Sequence, residues 1–270
     1  MKRFLIFTTI FSLIVIFIIP YAIGPLKYNL NGKEIILSIL KSKKKKKKTK
    51  VLIIGDSVAQ QLFNNQDYND SIYSLCSNQT ISFAGYYVLL KNFLQNNKPE
   101  EVVFLVSPFI LSNNLDQIYT FQYFLKPFLK KEYYNEFSPI VWEQIKKQKL
   151  YYLSQIPIIE KSNITPKNEK TKEASGIISP INNEYMNKCI QLLKTKQISY
   201  SFVSVPVSET SKKSIEKMKA HKSNYNFKKT GMSQNEIDNF LNNIVFFPDT
   251  CFIDGTHFKN PNLYTRFVKF

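Results

Sequence analysis

The sequence predicts a three-layer α/β/α sandwich with a mainly parallel sheet, preceded by one apolar amino-terminal helix. Three short apolar runs have the length and composition of buried strands: Val51–Gly55, Glu101–Ser107 and Ser199–Val205. Stretches with helical periodicity, Ile81–Gln95 and Asn183–Lys196, lie between them. Strands that alternate with helices in this way are typical of α/β domains with a parallel sheet. In such sheets, functional residues collect at the carboxyl ends of the strands.

Shorter segments complete the predicted domain. Residues Ser71–Cys76 predict a second strand, Ser233–Asn243 a helix, and Ile244–Phe247 a last short strand. Pro99, directly before the run at Glu101, is expected to end the preceding helix.

The segment 113–180 is polar and rich in aromatic residues, and we interpret it as an insertion that covers or shapes a site. Its aromatic side chains have two interpretations. They either pack in a core or lid, or they form a platform for sugar rings, with Tyr133, Tyr134 and Trp142 as candidates.

Residues 1–26 predict a membrane anchor. The stretch from Phe4 to Leu26 has no charged residue and exceeds the roughly 20 apolar residues that cross a bilayer. No Ala-x-Ala cleavage site follows, so we expect an uncleaved signal anchor with the rest of the chain outside the cytoplasm. Lysines after the apolar run favour the opposite orientation by the positive-inside rule, and both orientations stay open.

Most of the net charge of +17 lies in residues 1–50, which hold twelve basic residues and only one acidic residue. The segment 27–50 is therefore predicted to be a lysine-rich linker, with the domain spanning 51–270. Eight lysines fall within Lys41–Lys50, and no aromatic residue interrupts them, which argues against nucleic-acid binding by base stacking. The block is interpreted as a solvated tether or as a contact for anionic lipid or another polyanion.

The three cysteines are widely spaced and form no Cys-x-x-Cys pair. We interpret them as small buried apolar residues. The sequence therefore predicts neither a metal site nor a cofactor.

Two motifs carry the predicted chemistry. Gly55-Asp56-Ser57 directly follows the first apolar strand, and Asp254-Gly255-Thr256-His257 lies near the end of the chain. A serine hydroxyl becomes a good nucleophile only when a base takes its proton, so a serine at a turn and a late Asp-x-x-His are what a serine esterase needs. The chain has only two histidines, which makes the position of one of them in this motif informative.

With these motifs, the chain resembles the SGNH (GDSL-type) hydrolase superfamily from Val51 to about Phe258. The segment VLIIGDSVAQQLF is similar to the first block of that family, and DGTHF is similar to its last block. The resemblance implies a flavodoxin-like sheet. It also implies that Ser57 is the nucleophile, His257 the general base, and Asp254 the carboxylate that orients the imidazole.

The resemblance also implies an oxyanion hole. The backbone N–H of Ser57 and that of Gly85, at the place of the second family block, are the expected donors. The family's third block, Gly-x-Asn-Asp, is replaced here by Ser107-Pro108-Phe109-Ile110. Asn113 substitutes for the missing asparagine only if its loop folds back.

An apolar anchor followed by an SGNH-like domain is also similar to membrane-anchored proteins that add or remove acetyl groups on cell-envelope polysaccharides. This resemblance implies a serine esterase or O-acetyltransferase acting on an acylated carbohydrate, with a membrane-bound acyl-transfer partner in the transferase case. Two alternatives stay open. One is a catalytically degenerate protein that binds glycan or partners in an envelope assembly. The other is a cytoplasm-facing adaptor that uses Lys41–Lys50 to contact anionic lipid.

Overall fold

A computed structural model describes residues 1–22, 32–46, 48–63, 71–155, 177–221 and 231–268 of the chain. Its helices are α1 (Lys2–Ala22), α2 (Lys33–Ser42), α3 (Ser57–Leu62), α4 (Ser82–Asn96), α5 (Lys126–Phe128), α6 (Pro139–Lys147), α7 (Pro180–Thr195), α8 (Lys212–His221) and α9 (Gln234–Asn242). Its strands are β1 (Val51–Gly55), β2 (Ile72–Ser74), β3 (Glu101–Val106), β4 (Ser199–Ser204), β5 (Val207–Ser208) and β6 (Phe246–Phe247).

The main sheet has four parallel strands in the order β2-β1-β3-β4. Strands β5 and β6 form a separate parallel pair. Each predicted strand is present, and its ends coincide with the predicted ones or lie one or two residues inside them. The predicted α/β class with a mostly parallel sheet is therefore confirmed.

Both faces of the sheet are covered, as the alternation of side chains along β3 shows. Val102, Phe104 and Val106 belong to the larger apolar cluster, which includes residues of α4 and α7. Val103 and Leu105 belong to a second cluster, which includes residues of α3 and of the carboxy-terminal segment. All five side chains are fully buried, as expected for strands covered on both faces.

Helix α2 belongs to the domain, which corrects the predicted boundary after the lysine block. Ile35 and Ile39 lie in the larger apolar cluster. The buried Ser38 hydroxyl donates a hydrogen bond to the carbonyl of Cys76 at 3.0 Å. The domain therefore begins at α2, within the segment that the sequence assigns to a linker.

The apolar amino terminus forms α1. Within the described part of the chain, no helix meets the length and hydropathy that a membrane crossing requires. Residues 23–31, which include the end of the predicted anchor and the start of the predicted linker, lie outside the described residues.

Within the predicted insertion, the aromatic side chains pack mainly against one another. Tyr133 is buried, and the ring of Tyr134 meets Trp142 edge to face, with centroids 5.2 Å apart. Trp142 also packs edge to face on Phe137 at 6.1 Å. These contacts favour core packing over a sugar platform. Residues 156–176 of the insertion lie outside the described residues.

Candidate active site

The turn after β1 is shaped by Gly55. A Cβ atom at this position would lie 2.1 Å from the carbonyl oxygen of Leu105, so only glycine allows β1 and β3 to approach here. The Gly55 carbonyl accepts a hydrogen bond from the N–H of Ser77 at 2.9 Å, which extends the pairing with the segment after β2. The chain then turns sharply, and Ser57 becomes the first residue of α3.

Asp56 holds this turn together. One carboxylate oxygen accepts the N–H groups of Val58 and Ala59 at 3.0 and 3.1 Å, which caps α3. The other oxygen accepts the N–H of Ser107, the residue after β3. Burial raises the pKa of the Asp56 carboxyl, and these three N–H groups oppose that effect. The buried carboxylate thus joins the ends of β1 and β3 beside Ser57.

The loop that carries His257 is a compact turn. Phe252 and Phe258 form an antiparallel bridge, and the N–H of Ile253 donates to the carbonyl of His257 at 2.7 Å. Gly255 has φ of +76°, a left-handed conformation that glycine adopts without steric cost. The four-residue motif therefore closes on itself and turns the Asp254 and His257 side chains to the same side.

Aromatic stacking fixes this loop on the domain. Phe258 is buried and stacks against Phe252 at 4.5 Å and against Tyr264 at 4.3 Å. Its N–H donates to the side-chain oxygen of Gln61 at 3.0 Å. Gln61 lies on α3, four residues after Ser57, so one helix positions both the serine and the histidine loop. The sequence analysis did not single out Gln61, although its i+4 spacing from Ser57 places both residues on one helix face.

Ser57, His257 and Asp254 form a continuous hydrogen-bonded chain. The Nε2 atom of His257 lies 3.0 Å from Ser57 Oγ, and its Nδ1 lies 2.8 Å from a carboxylate oxygen of Asp254. An ionised Asp254 favours the tautomer with the proton on Nδ1, which leaves Nε2 to accept the serine proton. The structure thus brings together the three predicted catalytic residues, and its distances are those of a nucleophile, a base and an orienting acid.

Asp254 is held ionised by its own loop. Its other oxygen accepts the N–H groups of His257 and Thr256 at 2.8 and 3.0 Å. The backbone bond from His257, together with the bond from its imidazole, lowers the pKa of Asp254 to about 2. Because the carboxyl loses its proton more readily in the folded chain, the ionised form stabilises the fold above about pH 4, and this contribution is lost as the pH falls towards 2.

A titration of Asp254 checks these bonds. In the His257→Ala variant the imidazole bond is lost and the two backbone bonds remain. We therefore expect the pKa of Asp254 to rise from about 2 but to stay below the ordinary value of about 3.9. Carboxyl ¹³C NMR between pH 1.5 and 6 measures the midpoint in both proteins. An identical midpoint in the two proteins would contradict the bond between Asp254 and His257.

The predicted oxyanion donors are only partly supported. Among the described residues, no hydrogen-bond acceptor is found for the N–H of Ser57, the first residue of α3. Gly85 lies buried inside α4, where helix geometry directs its N–H to the carbonyl of Ile81. Asn113 is buried and uses its side chain to bridge Gln79 and Leu115. The positions of Gly85 and Asn113 therefore do not support the role that the resemblance implies.

Asn78 is a donor that the sequence analysis missed. It directly follows Ser77, whose N–H pairs with Gly55, so Asn78 lies at the same edge of the sheet as Ser57. Its side-chain oxygen accepts the N–H of Thr80 at 2.9 Å, and among the described residues its Nδ2 group has no acceptor. A half-buried amide donor at the same edge of the sheet as Ser57 is a candidate for the role of the missing third-block asparagine.

A buried hydroxyl lies in the layer beneath the site. Tyr86 on α4 is fully buried, and its OH has no hydrogen-bond partner among the described residues. Burial raises the pKa of Tyr86 well above its ordinary value, and the negative charge of Asp56 adds to this effect. Both effects keep the phenol neutral.

Removing this hydroxyl is expected to stabilise the protein. Tyr86→Phe deletes an unsatisfied buried group and keeps the ring, so the free energy of unfolding should rise by about 1 kcal/mol. Urea denaturation measures the change, and Tyr185→Phe is the matched control. The Tyr185 hydroxyl donates to the carbonyl of Glu136 and accepts from the N–H of Ser138, so this variant should lose stability. A loss of stability in Tyr86→Phe would show that its hydroxyl has a partner.

A cavity of about 360 Å³ lies away from these residues, between α2, α4 and the turn at 131–136. Two ion pairs cross it, between Lys43 and Glu132 at 2.8 Å and between Lys91 and Glu136 at 2.7 Å. Since each lysine is already paired with a carboxylate, the cavity has little net charge to attract a ligand. The candidate site is therefore at Ser57, where three side chains form a hydrogen-bonded chain.

Comparisons with known proteins add nothing to this assignment. No protein-family model, curated protein or solved structure significantly matches the chain.

Across the described residues, no group of three or more histidine, cysteine, aspartate or glutamate side chains is arranged to hold a metal ion.

Proposed function

We propose that the protein is an SGNH-type serine esterase or O-acyltransferase with Ser57 as its nucleophile. One observation carries the proposal: Asp254, His257 and Ser57 form an unbroken hydrogen-bonded chain although 200 residues separate the serine from the histidine. Aromatic packing and Gln61 hold the histidine loop in this position. A binding-only protein that had lost catalysis would have no need to keep this geometry, so the intact chain favours the enzyme.

The proposed reaction has two steps. Ser57 Oγ attacks the acyl carbonyl while its proton moves to Nε2 of His257, and the resulting oxyanion accepts hydrogen bonds from the Ser57 N–H and Asn78. The ester bond then breaks, and the imidazolium returns the proton to the departing oxygen. In the second step water or a sugar hydroxyl attacks the acyl-enzyme and gives its proton to His257. The bond between the acyl group and Ser57 then breaks, and the imidazolium returns this proton to Ser57 Oγ.

The exposure of the site supports an acyl group carried on a large molecule. The side chains of Asp254 and His257 are 54% and 34% exposed, so the chemistry takes place at an open surface. An open site admits a chain of sugars that a closed pocket would exclude. We therefore propose an acylated cell-envelope carbohydrate as the substrate.

We also propose that the protein is attached to a membrane by α1, with the domain outside the cytoplasm. Phe4, Phe7 and Phe11 of α1 are each more than 65% exposed, and an apolar helix of this kind needs an apolar environment. A membrane-bound partner that delivers the acyl group would suit the transferase case.

Fluorophosphonate labelling of the full-length chain tests the proposal. Ser57 should react covalently, and Ser57→Ala should abolish labelling, a loss of at least about a thousandfold. Ser112→Ala is the matched control, since this exposed serine only donates to the carbonyl of Phe109 and its loss should leave the rate unchanged. A folded wild-type protein that does not react would favour the binding-only alternative.

A further inference from the structure

The sheet edge opposite Ser57 carries a dense group of lysines. The segments that lead into β1, β3 and β4 lie side by side there. The Lys50 carbonyl accepts the N–H of Glu100 at 2.8 Å, and the Glu100 carbonyl accepts the N–H of Ser199 at 3.3 Å. We call the lysines of these three segments the basic face: Lys44, Lys45, Lys46, Lys48, Lys50, Lys98, Lys194 and Lys196.

The lysine block is fixed to the domain here and is not a free tether. The side chain of Asn97, at the end of α4, donates to the carbonyl of Lys44 at 2.9 Å. Its oxygen accepts the N–H of Lys46 at 2.6 Å. At Lys44 and Lys46 the block is therefore held at the sheet edge, next to lysines from distant parts of the sequence.

The charge of this face is strongly positive. Seven of its eight lysines are exposed, and Lys46 is half-buried. Among the described residues, none of those seven exposed lysines forms an ion pair. Among the described residues of these three segments, the only acidic ones are Glu100 and Glu101, so positive charge exceeds negative charge there by a wide margin. A folded surface of this kind attracts a surface of opposite charge.

We propose that the basic face binds the anionic headgroups of a lipid bilayer. The choice of lipid rests on the neighbouring helix. Ten residues separate Ala22, the end of the apolar α1, from the start of α2, and a fully extended stretch of that length reaches about 33 Å, more than the length of the strands, so a membrane that holds α1 lies within reach of the face. A lysine close to an anionic bilayer strengthens binding by about fivefold, which corresponds to about 1 kcal/mol. Eight lysines together with α1 then supply two signals for attachment.

This orientation sets what Ser57 can reach. The strands between the basic face and the catalytic edge have five or six residues, a span of about 17–20 Å. With the basic face on the bilayer, Ser57 points away from the membrane at about that height. Ester groups of the lipids themselves are then out of reach, and a polymer that extends from the surface is accessible. This last step rests on the proposed esterase function, whereas the binding of lipid rests only on the basic face and on the proposed attachment of α1 to a membrane.

Amine footprinting tests the proposal on the full-length protein. Vesicles of phosphatidylcholine alone are compared with vesicles that contain about one third phosphatidylglycerol, and labelled lysines are quantified by mass spectrometry. We expect Lys98, Lys194 and Lys196 to be labelled several times more slowly on the anionic vesicles, and about 0.5 M salt should remove the protection. Lys212 and Lys213 of α8 are the internal control and should not change. Equal labelling on both kinds of vesicle would overturn the proposal.

A second experiment tests whether lipid binding needs the lysines outside the block Lys41–Lys50, as a folded basic face requires. Replacing Lys98, Lys194 and Lys196 with glutamine should lower the ratio of binding to anionic over neutral vesicles by up to about a hundredfold. The same change at Lys212, Lys213 and Lys217 keeps the net charge equal and should have little effect. A triple variant that binds like wild type would contradict a folded face, and protection by soluble polyphosphate but not by vesicles would identify a different partner. Fluorophosphonate labelling of each variant reports separately on Ser57. A failure of the lipid-binding proposal can therefore be told from a failure of the esterase proposal.

Discussion

Replacing His257 with alanine is expected to lower the rate at which Ser57 reacts with a fluorophosphonate by at least about a thousandfold. The serine hydroxyl must lose its proton as it attacks, and the Nε2 atom of His257, 3.0 Å away, is the base placed to accept it. Without the imidazole, only water can take the proton. Rates of labelling under pseudo-first-order conditions give the measurement.

The chain supplies its own control, because His221 is its only other histidine. His221→Ala should react like wild type. The loop should keep its shape in His257→Ala, since its turn is held by backbone bonds at residues 253 and 257 and by the stacking of Phe258. Added imidazole should restore part of the rate by entering the space left by the side chain. Equal rates for the two alanine variants would exclude His257 as the base.

The candidate catalytic residues could be predicted because the chemistry proposed for them limits the possible sequences. A nucleophilic serine has to sit in a tight turn after a strand, and Gly55 with Asp56 provides that turn. Its base has to be one of two histidines, and only His257 has an aspartate at the right spacing. These constraints do not depend on the sequence between the two motifs. Ser57 and His257 could therefore be paired although 200 residues separate them.

The oxyanion donors could not be predicted in the same way. A backbone N–H leaves no mark in the sequence, and whether it is free depends on the hydrogen bonds of its element. The glycine of the family pattern corresponds here to Gly85, which the fold places inside α4. Asn78 lies at the catalytic edge because the pairing of β1 with β2 continues to Ser77, and this register is a tertiary property.

The domain boundary was misplaced for a different reason. Helix α2 has only ten residues, and its isoleucines are followed at once by the lysine block. A run of like charges normally indicates a solvated segment, so the sequence assigns the residues just before the block to the linker as well. Their burial against α4 could be seen only when the sheet had assembled.

Removing the carboxylate of Asp56 is expected to have the largest effect on stability. Its two oxygens accept three backbone N–H groups, from Val58, Ala59 and Ser107, in a site that is closed to water. Asp56→Ala leaves these donors without acceptors, and each unsatisfied buried donor costs about 1–3 kcal/mol. We expect the free energy of unfolding in urea to fall by about 3–6 kcal/mol, a large part of the stability of an ordinary domain.

Asp249→Ala is the matched control for this loss. That carboxylate also accepts two hydrogen bonds, from the N–H and the hydroxyl of Thr210, but it is exposed, so water replaces it and the cost should stay below about 1 kcal/mol. Asp56→Asn should fall between the two, because an amide keeps one acceptor and turns its NH₂ group towards the remaining donors. It should also slow the labelling of Ser57, since the turn at Ser57 and the residue after β3 are both held by this carboxylate. If Asp56→Ala were no more harmful than Asp249→Ala, the buried carboxylate would not be what joins β1 and β3 at the catalytic edge.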